Sequence, residues 1–224
     1  MQTEEISIEK LEHISQKDYQ RMARIVFDTW NYPAWVPAEK IRPMVEIFLI
    51  DVLLNSSKIV VARKNGHIIG LIAYSISKKI NELSWLRYRQ ANALCQLLEQ
   101  DADDTVFSRY MATMRLDEKL VQQSGKIFGA SLTLFMIEKT ARGLGLGNRL
   151  FYHFIDDLLE SKVDLFYVLT DSGSDVSFYD KKGLTRLECE TFFWSDQKTI
   201  AEDYYLYQGC PKELAQVNKL QSNS

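Results

Sequence analysis

TARGLGLGNRLF, residues 140–151, places three of the chain's ten glycines within five positions, directly before a segment of helical apolar periodicity. Each glycine costs roughly 0.5–1 kcal/mol relative to alanine where regular structure forms, so the cluster costs about 2 kcal/mol without a packing return. Glycines between a strand and a helix expose backbone N–H groups where the helix dipole favours an anion. The stretch therefore predicts an anion-binding loop. The alternative is a sharp turn, for which one glycine usually suffices.

Two common nucleotide-binding fingerprints do not fit this loop. The GxGxxG pattern fails because position 148 is Asn, and the P-loop pattern fails because no Gly-Lys-Ser/Thr stands at the helix start. A nucleotide-binding domain would therefore have to recognise phosphate without either fingerprint. What remains is an R-x-x-G-x-G arrangement that follows a predicted strand, from Arg142 to Gly147.

Hydrophobic periodicity predicts helices and strands on both sides of the loop. The predicted helices cover 17–27, 37–54, two charged segments within 77–126, the segment after the loop, and 174–181. The predicted strands cover 59–62, 68–75, 128–137, 163–170, 184–194 and 203–207. Asn65-Gly66 suits the positive φ angles of a tight hairpin turn. In the helix after the loop, His153 and Asp157 are predicted to lie on the polar face.

A second motif, FYDKKGL at 178–184, is similar to the FYxKxGF segment of the GNAT acetyltransferase superfamily. The R-x-x-G-x-G loop resembles the coenzyme A pyrophosphate loop of the same family, and the order of predicted elements matches the family's layout. The resemblance implies an α/β (α+β) fold with a mixed, mostly antiparallel central sheet flanked by helices. It also implies a single acyl-CoA N-acyltransferase-like domain over residues 1–224, with a helical insertion at about 77–127.

The resemblance further implies acetyl-CoA as co-substrate. The three scattered histidines and the cysteine spacing predict no metal site. The backbone of Met136, Ile137 and Glu138 would lie along the pantetheine arm. The pyrophosphate would be held by the backbone N–H groups of Arg142, Gly143, Leu144, Gly145, Leu146, Gly147 and Asn148. Two positions depart from the family pattern: Lys139 replaces a common proline, and Ser172 replaces a common asparagine. Ser172 is nevertheless included in the predicted cofactor site.

The implied reaction is direct attack of an amine on the acetyl thioester. An alkyl amine with a pKa near 10.4 is mostly protonated at pH 7, and supplying its free base costs about 4.6 kcal/mol. Glu138, at the end of the cofactor strand, is the first candidate for the general base, and Asp171 is the second. Solvated charge at a strand end is the alternative for either. The resemblance places the Tyr179 hydroxyl against the departing sulfur as a hydrogen-bond donor or general acid, whereas the alternative is packing between helix and sheet.

The predicted function is an acetyl-CoA-dependent N-acetyltransferase that acts on a primary amine of a small molecule or peptide. A catalytically inactive sensor or regulatory module that binds acyl-CoA through the same loop is the alternative. Acidic residues within the insertion would attract a cationic acceptor or form a solvated turn. They are Glu99, Asp101, Asp103 and Asp104.

Composition narrows the class of protein. A net charge of −3 over 224 residues and a pI near 5.7 give no basic field for nucleic acid. No apolar run approaches the roughly 20 residues that span a bilayer, so we expect no membrane partner and a cytoplasmic location.

The three cysteines lack disulfide or zinc spacing and are interpreted as free thiols, Cys189 as a buried one. The aromatic strands ETFFW and DYYLY would form either part of a homodimer sheet or an ordinary core edge.

Overall fold

The computed structural model describes residues 5–76, 84–100, 105–195 and 198–222. In this part of the chain the strands are β1 (Ile6–Lys10), β2 (Lys58–Lys64), β3 (His67–Ser75), β4 (Ala130–Ile137), β5 (Phe166–Asp171), β6 (Thr185–Phe193) and β7 (Ala201–Gly209). The α-helices are α1 (Gln16–Thr29), α2 (Ala38–Asn55), α3 (Ser84–Gln100), α4 (Thr105–Gln123), α5 (Leu146–Glu160), α6 (Ser177–Lys182) and α7 (Pro211–Ser222). Short 3₁₀ turns cover Tyr32–Ala34 and Lys139–Ala141.

The strands form a mixed sheet in the order β1-β2-β3-β4-β5-β7-β6. β4 and β5 run parallel, whereas β1 with β2, β2 with β3, β5 with β7 and β7 with β6 pair antiparallel. The predicted class, a mostly antiparallel sheet flanked by helices, is confirmed. Close contacts divide the chain into two compact units, residues 1–103 with 133–154 and residues 104–132 with 155–224. The single-domain organisation stays a prediction.

The β2–β3 hairpin lies at the centre of the first unit's sheet. Its turn is made by Asn65 at φ 52° and Gly66 at φ 74°, as the pair of residue types predicts. β3 is buried along almost its whole length, since only its two end residues are accessible. A strand that is buried on both faces consists of consecutive apolar residues, and this explains the sequence IIGLIAY at 68–74.

Helices α1 and α2 supply the rest of this core. The hydroxyl of Ser15 caps α1 by accepting the N–H of Asp18 at 3.1 Å. α1 buries one stripe of side chains, whereas α2 is buried on most of its surface and even encloses Pro43. The fully buried side chains include Met22, Ile25, Met44, Leu49, Ile50 and Leu53.

In the second unit, α4 packs on β6 and β7. Leu116 and Leu120 of the helix are buried against Tyr204 and Leu206 of β7. Partly buried apolar residues surround this cluster: Val121, Tyr167, Leu169, Leu187 and Phe192. One half of the predicted helical insertion therefore covers the face of the sheet formed by β5, β7 and β6.

Four features of the structure differ from what the residue patterns predict. α7 was not predicted, although Pro211 at its first position and the buried Leu214 are ordinary signs of a helix start. β1 was not predicted from the residue patterns either. Asp157 is 4% exposed, so its place on a polar face was wrong, because the buried side of α5 is broader than the apolar pattern indicated. Cys189 is exposed, so its predicted burial was also wrong.

Candidate functional site

The glycine-rich loop joins β4 to α5 in the first unit. After the 3₁₀ turn Lys139–Ala141, Gly143 has φ 82° and Gly145 has φ 73°. A Cβ atom at either glycine would meet nothing within 4 Å, so the backbone conformation rather than crowding requires glycine here. α5 begins at Leu146, whose side chain is 1% exposed and anchors the loop to the core.

The Arg142 N–H of this loop donates to the Lys139 carbonyl at 3.4 Å, whereas the following amides have no internal partner among the described residues. The first helical hydrogen bond of α5 runs from the N–H of Arg149 to the carbonyl of Gly145 at 3.2 Å. In the described part of the chain, the N–H groups from Gly143 to Asn148 donate to no acceptor. Exposed, unpaired N–H groups at a helix start, where the dipole adds positive potential, form a site for an anion such as a diphosphate.

β4 leads into this loop with alternating burial. Met136 is 3% exposed and faces the core, whereas Ile137 is half-buried. Gly70 of β3 lies so close that a Cβ atom there would be 2.7 Å from Ile137 Cδ1 and 3.3 Å from the Met136 carbonyl oxygen. The N–H of Glu138 donates to the carbonyl of Ile69 at 2.8 Å. Of the predicted pantetheine contacts, the Glu138 amide is therefore already used within the sheet.

The Glu138 carboxylate is held in an ion pair. Arg21 of α1 donates from Nη2 to Glu138 Oε2 at 2.6 Å and from Nε to the Ile68 carbonyl at 2.8 Å. The side chains of Arg21 and Glu138 are 31% and 24% exposed. A carboxylate that accepts from a fixed guanidinium must break this interaction to take a proton from a substrate. The pairing disfavours Glu138 as general base, a role that stays a prediction.

A cavity of about 390 Å³ opens beside this ion pair. Its lining consists of Arg21, Lys64, Asn65, His67 and Ile69. Because Arg21 is paired with Glu138, its charge in this lining is already balanced.

In the second unit, Tyr179 occupies the middle of α6. The residue is 8% exposed, and its ring centroid lies 5.6 Å from that of Tyr207. Burial is the largest cause that raises the Tyr179 pKa, and the charge of Asp171 adds to it. Among the described residues, no hydrogen bond engages its hydroxyl. The phenol therefore stays protonated at neutral pH and can act as a hydrogen-bond donor.

Asp171 ends β5 opposite Tyr204 of β7. Its Oδ1 accepts from the Ser174 hydroxyl at 3.3 Å. Burial and then the charge of Glu202 raise the Asp171 pKa to about 6. A carboxyl group with a pKa near neutrality is suited to exchange protons with a substrate.

Ser172 follows Asp171 and joins β5 to β7. Its N–H donates to the Asp203 carbonyl at 2.8 Å, and its hydroxyl accepts the Asp203 N–H at 3.0 Å. Both polar groups thus stabilise the strand pair. The predicted cofactor contact of Ser172 stays a prediction.

Asp117 of α4 was not singled out from the sequence. Its Oδ1 is buried without a hydrogen-bond partner among the described residues, and burial together with the charge of Asp171 raises its pKa to about 7. Its place on the buried side of α4 could have been predicted from its spacing. An acidic residue directly after Leu116 and three residues before Leu120 falls on the apolar stripe of a helix.

The acidic segment predicted to attract a cation is described only at its start. Glu99 is exposed on α3, and Asp101, Asp103 and Asp104 lie outside the described residues. Described carboxyl groups with raised pKa values lie on α4 and β5 in the second unit, and burial also raises the pKa of Asp51 on α2 in the first unit.

Solved structures resemble the chain over nearly its whole length. A protein of Pyrococcus horikoshii OT3 is 14% identical, with a TM-score of 0.57 over 92% of this chain and 98% of the other. FeeM, an N-acyl amino acid synthase from uncultured soil microbes, is 14% identical, with a TM-score of 0.52 over 94% and 93%. An acetyltransferase assigned to the GNAT family from Desulfovibrio desulfuricans is 12% identical, with a TM-score of 0.51 over 92% and 99%. The chain has the GNAT fold. No protein-family model and no curated protein matches it.

At these identities the likeness shows the GNAT fold alone. Within the described residues, no group of histidine, cysteine and acidic side chains is arranged to hold a metal ion. No described helix is long and apolar enough to cross a membrane. The cytoplasmic location, the homodimer and the absence of nucleic-acid partners stay predictions.

Proposed function

We propose that the protein is an acetyl-CoA-dependent N-acetyltransferase that acts on a primary amine of a small molecule or peptide. The observation that carries the proposal is the run of unpaired backbone N–H groups from Gly143 to Asn148, at the start of α5. The GNAT-like fold supports it, because the loop stands in the chain order at which the GNAT resemblance places the pyrophosphate loop.

The loop would bind the diphosphate of acetyl-CoA through its main chain. Hydrogen bonds to a charged acceptor contribute about 1.5–3 kcal/mol each, so two or three of them exceed the cost of the glycines. Arg142 is exposed, and its Nε lies 3.5 Å from the Ile137 carbonyl, a weak contact that leaves the guanidinium able to turn towards phosphate.

Acetyl-CoA supplies the activated acetyl group, and Asp171 and Tyr179 are the groups proposed for the proton transfers. Asp171 accepts a proton from the acceptor ammonium, so the N–H bond breaks as an O–H bond forms. The neutral amine then attacks the thioester carbonyl carbon. A C–N bond forms and the C–S bond breaks. The products are the amide and coenzyme A, whose thiolate takes up the second amine proton.

Asp171 suits the base role better than Glu138. Its pKa of about 6 lies closer to that of an ammonium group than the ordinary value of 3.8 does, so proton transfer is uphill by about 3 kcal/mol less. Glu138 has to leave Arg21 before it accepts a proton. Tyr179 would donate a hydrogen bond to the sulfur as negative charge develops there. Its raised pKa favours hydrogen bonding over full proton transfer.

Calorimetry with coenzyme A tests the binding step. We expect Gly145→Val to weaken binding by at least tenfold, because a side chain at this positive-φ position distorts the loop and covers its amides. Gly125→Val is the matched control, since Gly125 also has positive φ, at 61°, with nothing within 4 Å of a Cβ atom, but lies in the turn after α4. Equal binding by wild type and Gly145→Val would contradict the proposal.

Thiol release from acetyl-CoA with a panel of amines tests the chemical step. Release that depends on the amine, with formation of its amide, supports the transferase. Tight coenzyme A binding without amine-dependent release would instead support the sensor or regulatory module.

A further inference from the structure

Helix α6 carries Tyr179 but is too short to hold it by itself. It has six residues, and a helix of that length does not persist in water without tertiary contacts. At its C-terminal end the N–H of Gly183 donates to the Asp180 carbonyl at 3.0 Å. The N–H of Leu184 donates to the Tyr179 carbonyl at 3.1 Å. The direction of the Tyr179 side chain therefore depends on what α6 packs against.

Tyr207 of β7 is one of the residues that contact Tyr179. β7 is paired on both sides, with β5 and with β6. Tyr207 is fully buried, and its ring centroid lies 5.6 Å from that of Tyr179. A group supported by a paired strand is held more precisely than one supported by a loop. Tyr207 therefore gives the Tyr179 ring a fixed neighbour.

The Tyr207 hydroxyl connects α6 to this sheet. A hydroxyl group carries one donor and can accept two hydrogen bonds. This one donates to Asp180 Oδ1 at 2.8 Å, and it accepts from Arg186 Nε at 3.0 Å and from Arg186 Nη2 at 2.6 Å. Burial is the largest cause that raises the Tyr207 pKa, and the bond to Asp180 adds to it, so the hydroxyl keeps its proton. The residue directly after Tyr179 is thus tied to β7.

Arg186 is itself fixed by its neighbours on β7. It lies opposite Tyr207 across β6 and β7, where a bulge between Arg186 and Glu188 interrupts the pairing. Its guanidinium carbon lies 4.3 Å from the ring centroid of Tyr205 and 5.2 Å from that of Tyr207. A planar guanidinium stacked on aromatic rings is pre-organised to direct its N–H groups. Arg186 therefore keeps the Tyr207 hydroxyl in one place.

The ion pair in this network does not account for it through stability. The side chains of Arg186 and Asp180 are 40% and 50% exposed and lie 3.5 Å apart, and such an exposed pair contributes little to stability. Among the described residues the Tyr179 hydroxyl donates to no acceptor, so its direction is set by its ring contacts and by α6. Misplacing a reacting group by about 1 Å can lower a rate on the order of a hundredfold. The network acts on orientation.

We propose that Tyr207 is a positioning residue that, together with Asp180 and Arg186, holds α6 so that the Tyr179 hydroxyl keeps the direction needed to donate a hydrogen bond to the departing sulfur. The inference rests on the proposed function for the role of Tyr179. The hydrogen bonds of Tyr207 exist before the reaction begins, so no rearrangement is needed as charge develops on sulfur. Tyr207 acts on the reaction only through Tyr179.

Tyr207→Phe tests the proposal because it removes the hydroxyl and retains the ring. We expect kcat to fall about tenfold while the Kd for coenzyme A changes less than about twofold, since the loop that would bind coenzyme A is not altered. Tyr205→Phe is the matched control. Tyr205 lies two residues away on the same side of β7, but its hydroxyl donates to Asp203 Oδ2 at 3.3 Å rather than to α6. This variant should leave kcat unchanged.

Combination with Tyr179→Phe separates positioning from general damage. When the Tyr179 hydroxyl is absent, adding Tyr207→Phe should lower kcat by less than about twofold, because the group that Tyr207 positions is gone. A structural disturbance would instead lower kcat about tenfold in both backgrounds. That result overturns the inference.

Hydrogen exchange at the Gly183 and Leu184 amides provides a readout that needs no activity. In Tyr207→Phe their exchange should accelerate about tenfold, the size expected for the loss of one hydrogen bond that holds α6, and in Tyr205→Phe it should not change. Unchanged exchange at both amides, or an unchanged kcat in Tyr207→Phe, overturns the inference even if the wild type is an active transferase. Faster exchange in a protein without amine-dependent thiol release overturns the proposed function instead.

Discussion

Replacing Asp117 with Asn should stabilise the protein at alkaline pH. In the unfolded chain this carboxyl group titrates near 3.8, and in the folded protein near 7. Between these values the folded state binds more protons than the unfolded state, so the free energy of unfolding falls as pH rises. The stability contributed by protonated Asp117 is fully present below about pH 4 and is lost as pH passes 7.

The size of this stability effect follows from the pKa shift of Asp117 between the unfolded and the folded state. Each pKa unit corresponds to about 1.4 kcal/mol, so charging Asp117 in place costs about 4 kcal/mol at pH 8 and under about 1 kcal/mol at pH 4. The asparagine amide carries its own cost of burial, about 1–3 kcal/mol, which does not depend on pH. Because this cost is the same at both pH values, it drops out when the effect of Asp117→Asn on the free energy of unfolding at pH 4 is subtracted from its effect at pH 8. The remaining difference should be about 2–4 kcal/mol in favour of the variant at pH 8.

Urea unfolding at pH 4, 6 and 8 measures this difference. With a urea m-value of about 2 kcal/mol/M, the relative midpoint of Asp117→Asn should move by about 1–2 M between pH 4 and pH 8. Glu118→Gln, on the exposed side of α4, should stay within about 0.5 kcal/mol of the wild type throughout. An Asp117→Asn effect that is the same at pH 4 and pH 8 would refute the reasoning, because it would mean that Asp117 titrates alike in both states.

Two further variants test the second unit. Tyr179→Phe should lower kcat about a hundredfold while the Kd for acetyl-CoA changes less than twofold, because the hydroxyl acts on the leaving sulfur alone. Stopped assays with parallel calorimetry separate the two values, and an unchanged kcat would remove the role. Gly209→Ala should cost about 1–3 kcal/mol of stability, since its Cβ would overlap the ring of the facing Phe166. Thermal unfolding should show partial recovery when Phe166→Leu is added, and no recovery would contradict that cause.

The glycine loop was predictable because its cause is local. Positive φ at Gly143 and Gly145 and a helix start at Leu146 are properties of consecutive residues. The same holds for the Asn65-Gly66 turn, whose residue types leave few other backbone conformations.

The acid–base groups were less predictable because their partners are remote in sequence. The sequence predicts Glu138 as a general base or a solvated carboxylate at a strand end. Its ion-pair partner Arg21 lies on α1, 117 residues away in the chain. Asp171 was only the second candidate. Its altered proton affinity depends on burial and on Glu202 of β7, and no local pattern reports either.

The sequence by itself determined the succession of helices and strands, the open backbone of the loop and the position of the tyrosine motif. These follow from periodicity and from glycine's freedom at positive φ, which act over a few neighbouring residues. Only the tertiary structure decided which carboxyl groups can carry protons near neutral pH. Proton affinity depends on desolvation and on charges within several ångströms, and in this chain α4, β5 and β7 bring those charges together from distant segments.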